Sequence, residues 1–341
     1  MPRFRTRVVA AIAAGTSLLP GMCRRGTAAD PEAAPAGYTE RFITVEPGIE
    51  VQVLDWGGRG RPLVLLAGEG STAHEFDSFA PKLTANYHVN GITRRGFGRS
   101  SMPAPTEANY SAERLGKDVL AVIEQLKLER PVVVGHSIAG EELSYIGTTS
   151  PNRVAGLVYL DAAQGYAFYD PAVSNPEIDY HVLRRDLEKL AAIRSMSIQD
   201  RKSLLNDIAE MLPRFEKDLG SIRQLAEATP ANEPGPPDTP ERRVEKAIQL
   251  GEQEFGGLKC PVLAISAVPH SFGNRFKNDP SALKAAQSRD EARTSALADA
   301  FQKANPQATV LRIKDASHAI FISNEAEVLK AMNAFIASLP Q

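Results

Sequence analysis

The chain has 341 residues, 43% hydrophobic and 23% charged, with 39 Lys+Arg against 41 Asp+Glu and a formal charge of −2. That is the composition of a globular protein long enough for one large or two small domains. The balance of charge gives no basic surface of the kind that binds nucleic acid or anionic membrane. Two cysteines, Cys23 and Cys260, make no disulfide framework, and no His/Cys/Asp spacing reads as a metal site.

At the N-terminus Arg3, Arg5 and Arg7 precede an apolar stretch from Val8 to Leu19, followed by Pro20-Gly21 and the small residues Thr27-Ala28-Ala29. Basic, apolar and small, in that order, predict a signal peptide over 1–29 cut after Ala29, and so a periplasmic or secreted protein. The apolar stretch is too short to span a bilayer, so no stable membrane insertion is expected after processing; the alternative is an N-terminus that is kept, disordered or as a membrane anchor. Cys260 is then the one cysteine left; it precedes Pro261 and an apolar run, which suits a core position.

Strands are expected near 42–45, 50–55, 63–67, 88–92, 131–135, 156–160, 262–267 and 309–313. The later ones are near-continuous apolar runs, as in parallel strands covered on both faces. Between them, Leu115, Val119, Val122, Ile123 and Leu126 recur at helical spacing within 111–127 and mark one apolar helix face. Alternating strands and helices predict an α/β fold with a doubly wound, mostly parallel eight-stranded sheet. Residues 165–253 break the rhythm. Charged amphipathic stretches at 179–195, 197–212 and 240–252, divided by a Pro-rich connector from Thr229 to Pro240, predict a helical cap inserted after the sixth strand. The sheet core then comprises 38–164 and 254–341.

The most informative segment is Pro131-Val-Val-Val-Gly-His-Ser-Ile-Ala-Gly140. A β-branched run ends at Gly135 and helical spacing begins at Ile138, so Ser137 sits on a tight strand-to-helix turn flanked by small residues. This is the shape of a nucleophile elbow, with Ala139 where the G-x-S-x-G pattern has its last glycine and Gly140 one step later. Near the C-terminus, 309–313 reads as a last strand, Lys314 to His318 as a polar loop, and Asn324 with Glu327 as a capping box opening a final helix. His318 therefore stands between the last strand and the last helix.

Serine first and histidine last, in these settings, resemble a serine α/β-hydrolase of the broad esterase, lipase and haloperoxidase-like superfamily. Further segments match in order: Leu63 to Gly68 resembles the strand entering the oxyanion loop, with Ala67-Gly68 where the family usually has His-Gly. Tyr87 to Ser101 resembles the next strand and its Arg-Gly-x-Gly-x-Ser loop, and Val154 to Ala163 the strand after the elbow helix. The resemblance implies Ser137 as nucleophile, His318 as general base, and an oxyanion hole from the N–H groups of Ile138 and Glu69. It leaves the acid open. The family usually has it after the seventh strand, where this chain offers no carboxylate until Asp279; some members have it after the sixth, where Asp161 stands. Asp161 is the preferred reading over Asp279, and a dyad assisted by water or Ser271 stays open. Gly68, His74, His136 and His270 are candidates for lining a substrate pocket.

The expected activity is cleavage of an ester or related acyl bond of a small, partly apolar substrate through an acyl-enzyme, with no cofactor and no metal. C–C bond hydrolysis and cofactor-free perhydrolysis use the same three groups. A ligand-binding receptor that kept the fold is a further alternative, favoured by the unusual oxyanion loop and the absent acid after the seventh strand. Substrate identity and oligomeric state are not legible.

Overall fold

A computed structural model describes residues 37–170, 176–228 and 237–340. The expected signal peptide lies outside these residues. Eight strands form one sheet: β1 Thr39–Glu46, β2 Ile49–Gly57, β3 Pro62–Leu66, β4 His88–Ile92, β5 Val132–His136, β6 Gly156–Leu160, β7 Val262–Ala267 and β8 Thr309–Ile313. Their order is β1-β2-β4-β3-β5-β6-β7-β8. β1 and β2 are antiparallel to their neighbours, and every pair from β4 to β8 is parallel. The helices are α1 Glu107–Tyr110, α2 Ala112–Gln125, α3 Gly140–Thr149, α4 Pro176–Ala191, α5 Ile198–Ala228, α6 Pro240–Leu250, α7 Pro280–Ala304, α8 Ile320–Ser323 and α9 Glu325–Ser338. Each strand expected from the sequence is present, and the sheet is the expected mostly parallel α/β type.

The central strands, β3 to β7, are buried on both faces, and the strand residues sort by alternation. Leu63, Leu65, Val132, Val134, Leu160 and Ile265 pack on one side with Val328, Met332 and Ile336 of α9. Val64, Leu66, Val133, Leu157, Tyr159 and Ala264 pack on the other with Val119, Val122 and Ile123 of α2, Leu143 of α3 and Phe301 of α7. Double-sided cover is why these strands read as unbroken apolar runs. Cys260 is buried in this second layer with its thiol pushed up to about 12 by burial, the inert core position expected of it.

The chain reverses its winding direction at β3: β4 lies on one side of it and β5 on the other. Loops leaving β3 and β5 therefore emerge side by side at the carboxyl end of the sheet, where doubly wound folds bind ligands.

Residues 165–253 do not behave as one insert. A separate helical unit spans Asp179–Pro237, while the segments on either side belong to the sheet unit. Within the helical unit, Leu183, Leu204, Ile208 and Met211 form its own small core. α6, expected in the cap, instead buries Val244, Ala247 and Ile248 against Phe97, Tyr110, Leu115 and Ile138. Its amphipathic pattern specified an apolar face without saying what would cover it. The capping box at Asn324 also does not form: its side chain makes no bond to the helix and accepts one from the Ser323 hydroxyl. No helix among the described residues is long and apolar enough to cross a membrane.

Candidate active site

Val132, Val133 and Val134 are fully buried between β3 and β6, and the chain turns sharply after them. Ser137 takes φ +54°, a left-handed conformation that costs a non-glycine residue about 1–3 kcal/mol and persists only where its surroundings enforce it. The surroundings here are tight. A Cβ on Gly140 would lie 2.1 Å from the Ala162 carbonyl oxygen, and one on Gly135 would lie 3.0 Å from the Ala139 methyl. The close approach thus falls on Gly140, which explains how Ala139 fits where the pattern has glycine. Ser137 begins a short 3-10 turn, Ser137–Ala139, that runs into α3, so Ile138 presents its N–H in a first turn without intrahelical acceptors.

Ser137 Oγ lies 2.8 Å from His318 Nε2, and His318 Nδ1 lies 2.6 Å from Asp161 Oδ2. An ionised carboxylate only accepts, so Nδ1 carries the proton and Nε2 is left to accept from the serine hydroxyl. The chain thereby brings together residues 137, 161 and 318 from the ends of β5, β6 and β8. Asp161, not Asp279, meets the imidazole. Asp161 is fully buried at φ +47°, with its Oδ1 accepting from the Ala267 N–H at 3.0 Å. Burial opposes its charge, but hydrogen bonds from His270 and His318 outweigh this and hold it well below the usual carboxylate range. Asp279 lies exposed at the start of α7, where its side chain caps the Ala282 N–H at 2.9 Å. Ser271 bonds only locally through its hydroxyl, to the Gly273 N–H at 3.3 Å.

His270, expected to line a pocket, is part of this network. Its Nε2 lies 2.7 Å from the same Asp161 Oδ2, its Nδ1 lies 3.0 Å from Asp290 Oδ2, and its backbone N–H donates to that Asp290 oxygen at 2.7 Å. Burial disfavours the charged ring, yet the two carboxylates push it up to about 9. Asp161, His270 and His318 are also of metal-ligating type, with candidate atoms within 4.8 Å of one another. Separations of 2.6 and 2.7 Å are those of hydrogen bonds, whereas donors around a tetrahedral ion stand roughly 3.3 Å apart. The group is a proton network.

His136, expected to line a pocket, also has a bracing part. It is buried beneath the elbow, Nδ1 at 3.1 Å from Glu75 Oε1 and Nε2 at 3.1 Å from the His318 carbonyl oxygen. Glu75 Oε1 also accepts from the Gly68 N–H at 3.1 Å, so one carboxylate ties the oxyanion loop to the elbow. Gly68 itself stands close: a Cβ there would lie 3.0 Å from His136 Nδ1 and 3.4 Å from Ser137 Cβ. Arg94, from the Arg-Gly-x-Gly-x-Ser loop, fixes the other side. Its guanidinium donates to the Ala67 carbonyl at 3.1 Å, the Gly68 carbonyl at 3.4 Å and Glu142 Oε1 at 2.7 Å, all within the protein interior. A trans peptide points its C=O and N–H in opposite directions. Holding the Gly68 carbonyl on Arg94 therefore aims the Glu69 N–H away from Arg94. The Glu69 side chain turns toward α6, accepting from Gln249 Nε2 at 3.4 Å.

Tyr166 was not legible from the sequence as a site residue. Its phenol stands near Ser137, and burial together with the Asp161 charge keeps it far above its usual range, hence protonated. His74 is not brought to this cluster: its ring is exposed, bonds to Asp77 at 3.0 Å and packs edge-on to Tyr38. Next to the elbow, the Glu141 carboxyl is fully buried without a hydrogen-bond partner and shifted upward by burial.

Against known proteins, a family model described as the alpha/beta hydrolase fold matches residues 61–325. Among curated relatives, a fluoroacetate dehalogenase from Burkholderia sp is 33% identical over 130 residues, covering 38% of this chain and 41% of that protein. A non-heme chloroperoxidase from Streptomyces lividans is 33% identical over 35% of this chain and 44% of that protein. A 2-hydroxy-6-oxononadienedioate/2-hydroxy-6-oxononatrienedioate hydrolase from Cupriavidus pinatubonensis is 26% identical over 58% of this chain and 73% of its own length. The chain thus spans less than half of the first two relatives. Of solved structures, a bromoperoxidase from Bacillus anthracis superposes with a TM-score of 0.55 at 18% identity, over 88% of this chain and all of that one, a likeness of fold. With the family model matched over most of its length and the sheet order above, the chain belongs to the alpha/beta hydrolase fold family.

Proposed function

We propose that this protein is a serine-dependent hydrolase that cleaves an ester or related acyl bond of a small, partly apolar substrate through an acyl-enzyme. The observation that carries the reading is the unbroken series of bonds from Ser137 Oγ through His318 to Asp161, at 2.8 and 2.6 Å. His318 Nε2 takes the serine proton as Oγ attacks the acyl carbon; the resulting imidazolium is stabilised by Asp161 and then protonates the departing alkoxide. Water repeats the sequence to release the acid and restore the hydroxyl. The N–H groups of Ile138 and Glu69 hold the oxyanion, each such donor contributing about 3 kcal/mol to the lowered barrier. The chemistry needs no group beyond the chain. Residues 1–29 direct export to the periplasm or beyond in this reading.

C–C bond hydrolysis is the second reading, favoured by the relative from Cupriavidus pinatubonensis, the one of those compared that is matched over most of its length. Fluorophosphonate labelling read by intact mass tests the nucleophile common to both. We expect one adduct on Ser137, absent in Ser137→Ala and slow in His318→Ala. An unlabelled but folded wild type refutes the enzyme reading in favour of a binding protein. A series of p-nitrophenyl esters of graded chain length, run beside a vinylogous 1,5-diketone, then separates ester from C–C cleavage.

A further inference from the structure

His318 stands between two other imidazoles. The ring of His136 is 4.8 Å away and that of His270 is 6.0 Å away, centroid to centroid. Both have partners that only accept. His136 faces the Glu75 carboxylate with one nitrogen and the His318 carbonyl with the other. His270 faces Asp161 with one and Asp290 with the other. A neutral imidazole has a single N–H to donate, so two acceptors on opposite nitrogens require the doubly protonated ring.

We propose that His136 and His270 each keep both ring protons, and that as two fixed cations flanking His318 they are positioning residues that oppose the imidazolium this base forms when it takes the serine proton. This rests on the serine-hydrolase reading for its catalytic meaning, but the protonation states stand apart from it. The opposing influences on His318 are these: Asp161, from the end of β6, favours its imidazolium; His136, from β5, and His270, from the loop after β7, disfavour it. Behind them, Glu75 offsets the charge of His136, while Asp290, itself 3.4 Å from Arg293, offsets that of His270. The Tyr166 phenol stays neutral beside Ser137. Burial opposes both flanking charges, and both rings are nevertheless raised above the ordinary imidazole range by their carboxylate partners.

Removing one cation at about 6 Å should move the acid limb of Ser137 labelling up by about one pH unit, between the water and protein-surface limits of Coulomb's law. His270→Gln keeps a donor toward Asp161 but no charge, and His136→Gln does the same toward the His318 carbonyl.

The test is ring-¹⁵N NMR of histidine-labelled full chain, assigned with these variants and titrated from pH 5 to 9, alongside the pH dependence of fluorophosphonate labelling. We expect His136 and His270 to show imidazolium shifts on both nitrogens at pH 7.5 in the wild type. The acid limb of labelling should move up by about one pH unit in each variant. A neutral His136 or His270 at pH 7.5 overturns the proposal, as does an acid limb of labelling unchanged in the variants. Should the variants not fold, the wild-type spectrum alone decides the protonation states. Should Ser137 fail to label, the hydrolase reading falls while the spectra still decide this one.

Discussion

The network around His270 should write itself into the pH dependence of stability. In the folded protein this ring is raised to about 9 from an ordinary value of 6.5, because Asp161 and Asp290 hold it. A group raised on folding contributes stability that is fully present below its unfolded value and is lost as pH rises through its folded value. The window is therefore pH 6.5 to 9. A shift of this size corresponds to about 3 kcal/mol, and the ring is buried, so little of this is lost to solvent screening. For a chain of this length that is about 5 °C in Tm. Differential scanning calorimetry from pH 6 to 9 at fixed ionic strength, on wild type and His270→Gln, makes the measurement. His136 and His74 are raised as well and slope the same way, so the difference between the two curves isolates His270. Parallel curves across the window would refute the assignment of a retained proton.

Asp161→Asn should lower kcat/KM by about 10³–10⁴ through loss of the imidazolium partner, with Asp279→Asn within about twofold of wild type in the same ester assay. Breaking the buried Arg94–Glu142 pair by Arg94→Met should cost about 3–5 kcal/mol by leaving Glu142 uncompensated. Adding Glu142→Met should restore much of the melting temperature but not the labelling rate, because the Ala67 and Gly68 carbonyls stay untethered. Ser137→Gly should abolish labelling and yet melt higher, by about 1 kcal/mol, since glycine adopts φ +54° without strain; a lower melting point would count against stored strain at the elbow.

What was legible in the sequence was what local chemistry decides. The β-branched run before Gly135 and the helical spacing after it located the elbow, because strand, turn and helix there each leave their own signature. Asp161 was legible because it directly follows an apolar strand. His270 and Asp290 were not seen as a pair: one stands in a loop, the other 20 residues on within α7, and only tertiary packing joins them. Glu75 reads as an ordinary polar residue in a short helical turn, and Tyr166 lies in a stretch with no periodic pattern. Arg94 sat in a recognised loop, yet its grip on the Ala67 and Gly68 carbonyls depends on β3 and β4 being neighbours. The assignment of α6 to the cap failed for a related reason, since amphipathicity names a face and not its partner.

The register of the parallel strands has a wider consequence. His136 pairs with Leu160, and Leu160 with Ile265, so Ser137 and Asp161 each leave the sheet at the same level and with the same left-handed bend. One residue inserted or deleted inside β5 or β6 would displace a reacting group by about 3.3 Å and turn it to the opposite face, disarming a chain that still folded. Length changes should accordingly be purged between 132 and 160 and accumulate in the helical stretch beyond, where new specificities can be tried at no risk to the proton path.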